Sequence, residues 1–133
     1  MDQENSAPLI NESGFAHRDM HGLDRWDTFT VSTTVSTVGA LTTLGRYRII
    51  GKECQFQAQI SAATSIAVTS GVHYMNLPMT AKGLAGDAVM VNTSTNIAVG
   101  PCAIAVSTSR CYLPTQAPSA AVFAVAGRFE IGV

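Results

Sequence analysis

Two histidines near the start of the chain have the spacing of a metal-binding pair. His17 and His21 are four residues apart, and residues at this spacing share one face of a helix. However, no glutamate follows His17, as it would in zinc-dependent proteases. The segment lies between Gly14 and Gly22, which disfavours a stable helix. We therefore predict no metal and no cofactor, and interpret the segment as a partner contact.

From residue 26 onward, few groups could carry out acid–base or nucleophilic catalysis. The carboxylates there are Asp27, Glu53, Asp87 and Glu130, and a glycosidase would need two of them flanking a sugar bond. No local signature pairs them, and phosphate-loop, dinucleotide-binding and nucleophile-elbow motifs are absent from the sequence. His73 lies in a strand-like segment, which favours a packed histidine over a catalytic one. We predict no catalytic residues and no enzyme activity.

Two aromatic residues close to each other could form a platform for sugar stacking. Trp26 and Phe29 are three positions apart at the beginning of the strand-rich region. The alternative is that Trp26 packs over one end of the fold, because large aromatic side chains mostly serve cores and interfaces. We favour the packing interpretation.

The overall composition excludes some classes of partner. Eight basic and nine acidic residues give a net charge of −1, without the basic excess of a nucleic-acid-binding domain. Charged residues make up 13% of the chain, against about a quarter in soluble domains. This favours burial of surface between subunits, although a monomer covered by serine and threonine remains an alternative. No run of apolar residues is long enough to span a membrane.

The cysteines do not form a disulfide or zinc framework. Cys54, Cys102 and Cys111 are an odd set without the spacing of a metal or redox motif. Cys54 lies on the apolar side of a predicted strand, so we expect a small buried hydrophobic residue. Without a recognisable signal peptide, these features favour synthesis in a reducing cytoplasm.

The clearest structural pattern is the alternation over 53–60. Glu53, Gln55, Gln57 and Gln59 alternate with the apolar set Cys54, Phe56, Ala58 and Ile60, which predicts a strand with one buried and one wet face. Gly51-Lys52 predicts a tight turn after a strand over 46–50. We therefore predict a half-buried antiparallel hairpin.

Further strands are expected along the rest of the chain. The first runs over 27–31, and a weakly alternating stretch over 32–44 is expected to be irregular or an edge. The others span 65–68, 72–77, 88–92, 102–107, 110–113, 120–126 and 128–133, and glycine and proline mark turns between them. Short strands at this spacing predict an all-β fold, an antiparallel β-sandwich or jelly-roll-like domain over residues 26–133.

Residues 1–25 differ from the remainder and are predicted to form an extended N-terminal arm. They contain seven of the seventeen charged residues and no sustained period of a helix or strand. We expect the arm to lie across a partner, with its attachment residues at Leu9, Ile10, Phe15, Arg18 and Met20.

Four motifs, in this order, resemble a β domain of tailed-bacteriophage virion proteins, found in head decoration (cement) proteins, head fibres and tail-appendage tips. They are an aromatic opening strand over 26–30, Gly-x-Tyr-x-x-x-Gly-Lys with an alternating strand over 45–60, a Leu-Pro turn over 77–81, and Gly-Arg-Phe-Glu-Ile over 127–131. The resemblance implies a homotrimer. Cys54 departs from it, since the family more often has valine or threonine there.

The resemblance implies a function in the virion, where the protein would arrive after assembly in the host cytoplasm. Tail fibres normally carry a long shaft before the tip, and this chain has none. We therefore expect a non-enzymatic capsid decoration protein whose partners are its own copies and the major capsid protein, with no nucleic acid and no membrane. The alternative is a receptor-binding tip module of a head or tail fibre.

Overall fold

The computed structural model describes residues 25–82 and 86–131, and over these residues the chain forms eleven strands and no helix. The predicted all-β class is confirmed, and a curled antiparallel sheet is arranged as in a β-sandwich. The arm residues that the sequence singled out lie outside the described part. The strands are β1 Asp27–Thr28, β2 Ser36–Val38, β3 Leu41–Ile50, β4 Glu53–Ala62, β5 Ser65–Val68, β6 Tyr74–Asn76, β7 Gly86–Asn92, β8 Ile97–Ile104, β9 Arg110–Tyr112, β10 Gln116–Ser119 and β11 Phe123–Glu130.

The predicted hairpin is present and is longer than expected. β3 and β4 pair along their full length, from Ile50 opposite Glu53 to Leu41 opposite Ala62. Gly51 takes a φ of +63° in the turn, a conformation that glycine adopts without the steric cost of a Cβ atom. The first half of β3 falls in the stretch that was predicted to be irregular, and its cross-strand pairing overrides the weak local pattern.

Eight strands form one sheet in the order β1-β3-β4-β11-β7-β8-β9-β6. The central strand, β11, pairs with β4 on one side and β7 on the other. The sequence predicted two strands here, separated at Gly127, and this is wrong because β11 continues through the glycine. A Cβ atom at Gly127 would meet Ala88 Cβ at 2.5 Å, so glycine is needed for the close approach of β7 rather than for a turn.

The remaining three strands form a small sheet in the order β10-β5-β2. β5 has the bounds that were predicted. β10 was missed, because Pro118 reads as a turn signal, although proline is also accepted in an edge strand whose outer side needs no hydrogen-bond donor. β2 is exposed along its whole length and lies at the edge of this sheet. An edge strand was one of the two structures predicted for 32–44.

The core consists of side chains from both sheets, and the central part comes from the inner face of β4 and β11. Phe56 and Phe129 are both buried, with ring centroids 5.9 Å apart. The predicted apolar side of β4 is therefore correct at every position. Its members are Cys54, Phe56, Ala58 and Ile60. Within residues 25–82 and 86–131, no helix is long and apolar enough to cross a membrane.

Candidate functional site

The outer face of the eight-stranded sheet carries side chains that the core leaves exposed. Because side chains alternate along a strand, the residues between the buried positions of β3, β4, β11 and β7 all point to this face. The register places Arg48, Gln55, Arg128 and Asp87 side by side on these four strands. Positions that are distant in sequence therefore form one continuous surface.

At one border of this face, an indole lies against two guanidinium groups. The guanidinium carbons of Arg46 and Arg48 are 4.7 and 4.6 Å from the ring centroid of Trp26, which is the geometry of a cation–π contact. Arg46 Nε donates to Gln57 Oε1 at 2.8 Å, and Arg48 Nε donates to Gln55 Oε1 at 2.9 Å. We call these five residues the arginine–tryptophan patch.

The charges of this patch are not neutralised by nearby carboxylates of the described region. Over residues 25–82 and 86–131, ion pairs are formed by Arg128 alone, with Glu53 at 3.8 Å and Asp87 at 3.4 Å. Arg46 and Arg48 instead each donate their Nε–H to the neutral amide of a glutamine. The N–H groups of their terminal nitrogens can donate to other acceptors. The patch is therefore suited to anionic groups such as carboxylates.

Next to the patch, the same face carries apolar side chains on β3, β11 and β7, with Gln57 and Gln59 of β4 between those of β3 and β11. Leu44 is 62% exposed and Val89 is 40% exposed, and Ala126 lies directly opposite Val89 in the register. With Ala124 these residues form what we call the apolar strip. A shallow depression of about 540 Å³ overlaps it, lined by the strip residues Leu44, Ala124 and Ala126 and by Gln57 and Gln59 among others. An antiparallel sheet normally presents polar residues on its wet face, so this strip is a departure.

Three of the four carboxylates that could have formed a glycosidase pair gather at the hairpin end of the sheet, while Asp27 lies in β1. Glu53 lies opposite Glu130 on the neighbouring strand, and Asp87 is in β7. A hollow of about 400 Å³ is lined by these three residues with Lys52 and Arg128. The Arg128 guanidinium contacts two of the three carboxylates, so the cluster is organised as an ion-pair network.

A second aromatic group lies at the far edge of the sheet. The ring centroids of Tyr74 and Tyr112 are 5.4 Å apart, and the Arg110 guanidinium carbon is 4.3 Å from the Tyr74 ring. Arg110 Nη1 also donates to the Tyr112 hydroxyl at 3.2 Å. The pairing of Tyr74 with Tyr112 depends on the register of β6 and β9, which no local pattern of the sequence predicts.

The other candidate site residues lie apart from one another in the structure. Trp26 and Phe29 do not form one platform, because Phe29 packs against Tyr47 and the core while Trp26 lies on the outer face. His73 is half-buried, and its Nδ1 accepts a hydrogen bond from the Thr69 N–H at 2.9 Å. This stabilises the turn before β6, and His73 precedes that strand rather than lying within a strand over 72–77. The histidine pair His17 and His21 lies outside the described residues, as do the attachment residues Leu9, Ile10, Phe15, Arg18 and Met20.

Cys54, Cys102 and Cys111 are buried, and none of them forms a disulfide. Burial, with a smaller effect of the Glu53 charge, raises the pKa of Cys54 to about 11, so its thiol stays neutral and behaves as the expected small hydrophobic residue. The hydrogen bond with Cys111 lowers the pKa of Cys102 against the effect of burial, and the same bond together with burial raises the pKa of Cys111. Neither thiol faces the outer surface described above.

In the described part of the chain, no group of histidine, cysteine and carboxylate side chains is arranged to hold a metal ion. Comparison with protein-family models, with curated proteins and with solved structures finds no match to this chain. The site is therefore interpreted from its own chemistry.

Proposed function

We propose that this protein is a non-enzymatic structural component of a bacteriophage virion, and that it acts as a capsid decoration protein. The observation that carries the proposal is the apolar strip, with the arginine–tryptophan patch beside it on one sheet face. Exposed apolar side chains beside polar groups on one face are typical of protein interaction sites. The sequence resemblance to virion β domains supports the choice of partner, the major capsid protein.

The proposed mechanism is adhesion across joints between capsid subunits. Fully burying a leucine or valine side chain contributes about 1.5–3 kcal/mol, and the parts of Leu44 and Val89 that are still exposed, 62% and 40%, would contribute the corresponding fraction to a contact. Because the ligand binds the assembled shell and not its dissociated subunits, it stabilises the shell by mass action. Several linked copies would strengthen attachment further through their high effective concentration.

Replacing Val89 by aspartate should weaken attachment to the capsid about tenfold or more, because a charge would be desolvated in the contact. The measurement is co-sedimentation of the purified protein with capsids that lack it. The matched control is Val72→Asp, which changes an exposed valine in the loop before β6 and should leave attachment unchanged. If both variants sediment like the unmodified protein, the apolar strip is not the contact surface.

The alternative function, a receptor-binding tip, is favoured by half-buried aromatic residues that reach the surface. Trp26 with its two arginines, and Tyr74 with Tyr112 and Arg110, offer stacking and hydrogen-bonding groups of the kind that bind sugars or peptides. Copies per particle in purified virions would separate the two functions, since a shell component is present in many copies and a fibre tip in few. Binding of the isolated protein to host cells would support the tip.

We further expect the free protein to be a homotrimer. The expectation rests on the resemblance, the low charge content and the exposed apolar residues of β11 and β7. Light scattering coupled to size-exclusion chromatography should give about three times the chain mass of 14.0 kDa. A stable monomer at micromolar concentration would contradict this expectation.

A further inference from the structure

We propose that residues 12–24 of the N-terminal arm dock on the arginine–tryptophan patch of their own chain. The proposal goes beyond the capsid function and does not depend on it, because it concerns the isolated protein. It combines three observations: the charge of the arm, the uncompensated charge of the patch, and the point at which the arm joins the sheet.

The charge of the chain is divided sharply between the arm and the β domain. Residues 1–24 hold five acidic residues and one arginine, a net charge of −4, whereas residues 25–133 hold four acidic and seven basic residues, a net charge of +3. The near-neutral total of −1 conceals this separation. Segments of opposite charge in one molecule attract each other over about a Debye length.

The patch places two guanidinium groups without an ion-pair partner in the described sheet on the same face of β3, whereas Arg110, which also lacks such a partner, stands alone at the far sheet edge. Among residues 25–82 and 86–131, Glu53 and Asp87 contact Arg128, whereas the guanidinium groups of Arg46 and Arg48 contact the Trp26 ring and neutral amides. Their terminal N–H groups match carboxylates, which accept such bonds in pairs. Phosphates would also fit this chemistry, but the chain itself supplies carboxylates.

The arm is tethered beside this surface. Trp26, which is part of the patch, is the residue immediately before β1, and β1 pairs with β3 through Thr28 opposite Arg46. Glu12, Asp19 and Asp24 therefore lie within about fourteen residues of the patch, a reach of up to roughly 45 Å for an extended chain. Joining two binding groups through a short stretch of chain gives effective concentrations on the order of millimolar, so weak individual ion pairs suffice for docking.

The test uses Trp26 as its own probe, because it is the single tryptophan of the chain. Quenching of its fluorescence by acrylamide, a neutral molecule, reports how accessible the indole is. We expect the quenching constant of the full-length protein to rise about twofold when NaCl increases from about 0.02 to about 1 M, since salt screens exposed ion pairs. Arg110→Glu, which reverses a charge at the far sheet edge, should keep this salt dependence.

The variant Glu12→Gln/Asp19→Asn removes two carboxylates that are at least seven residues from Trp26, so its effect cannot come from a neighbouring residue. It should show the high quenching constant already at low salt. The control Asp2→Asn/Glu4→Gln changes the charge equally at the distal end and should behave like the unmodified protein. Quenching constants that do not differ among the unmodified protein and both variants, at either salt concentration, would overturn the proposal.

A mixing experiment distinguishes the chain's own arm from that of a second copy. Copies with Glu12→Gln/Asp19→Asn are refolded together with copies that carry Trp26→Phe and an intact arm. We expect the fluorescent copies to keep the high quenching constant, since an intact arm on another chain does not cover them. If quenching falls to the level of the unmodified protein, the arm docks between copies and the assignment to its own chain is wrong.

Discussion

Replacing Phe56 by alanine will lower the free energy of unfolding by about 3–5 kcal/mol, the range found when a buried aromatic residue is truncated. Phe56 is 1% exposed, and its ring is in contact range of Phe129 on the adjacent strand. It also lies opposite Tyr47 and Gly127 in the register. β4 is hydrogen-bonded to β3 on one side and to β11 on the other. The strands around Phe56 therefore cannot move far, and the cavity left by the substitution will collapse only in part.

The neighbouring residue on the other face provides a matched control. Gln57 is exposed and accepts one hydrogen bond from Arg46, so Gln57→Ala should cost about 1 kcal/mol or less. Both variants are measured by denaturant unfolding at the same protein concentration, because oligomerisation would make stability depend on concentration. Equal losses at the two positions would show that the assignment of faces in β4 is wrong.

The hairpin could be predicted because its information is local. Alternation from Glu53 to Ile60 specifies both the strand and its buried face, and the Gly51-Lys52 turn specifies the partner. The structure confirms the register from Ile50 opposite Glu53. The beginning of β3, over 41–45, has no comparable pattern and becomes a strand only through its pairing with the end of β4.

The errors elsewhere come from residues whose local meaning is ambiguous. Gly127 was interpreted as a break between strands, but it is the centre of β11, where another strand leaves no space for a side chain. Pro118 was interpreted as part of a turn and instead lies in the edge strand β10. Glycine and proline signal a special backbone environment, and only the tertiary arrangement determines which one applies.

The candidate site could be predicted only in fragments. The wet face of β4 was correctly assigned, which includes Gln55 and Gln57 of the patch. The apolar strip requires that β11 lie between β4 and β7. Both neighbours are distant from β11 in the sequence, and no local pattern indicates that they pair with it. The position of Trp26 on two arginines likewise depends on the β1–β3 register. Non-local pairing of this kind is not encoded in any short pattern.

A second substitution should have an effect opposite in sign to the usual one. Replacing glycine by alanine at an unstrained position commonly stabilises a protein by about 0.4–1 kcal/mol, because it reduces the entropy of the unfolded chain. Gly127→Ala should instead destabilise this protein by about 1–3 kcal/mol, the typical cost of overpacking. The added Cβ would lie 2.5 Å from Ala88 Cβ and 2.8 Å from Ala88 Cα.

The backbone of β7 is part of this contact, so a simple change of side-chain rotamer cannot relieve it. The added methyl group would also meet the Asp87 carbonyl oxygen, and β11 and β7 would have to separate at the centre of the sheet, where each pairs on both sides. Ala126→Val is the control, because it adds a larger volume at the adjacent exposed position of the same strand and should change stability by no more than about 0.5 kcal/mol. Thermal or denaturant unfolding of both variants measures the difference. If Gly127→Ala proves stabilising, the position has room for a methyl group, and the close packing of β7 against β11 at Gly127 is incorrect.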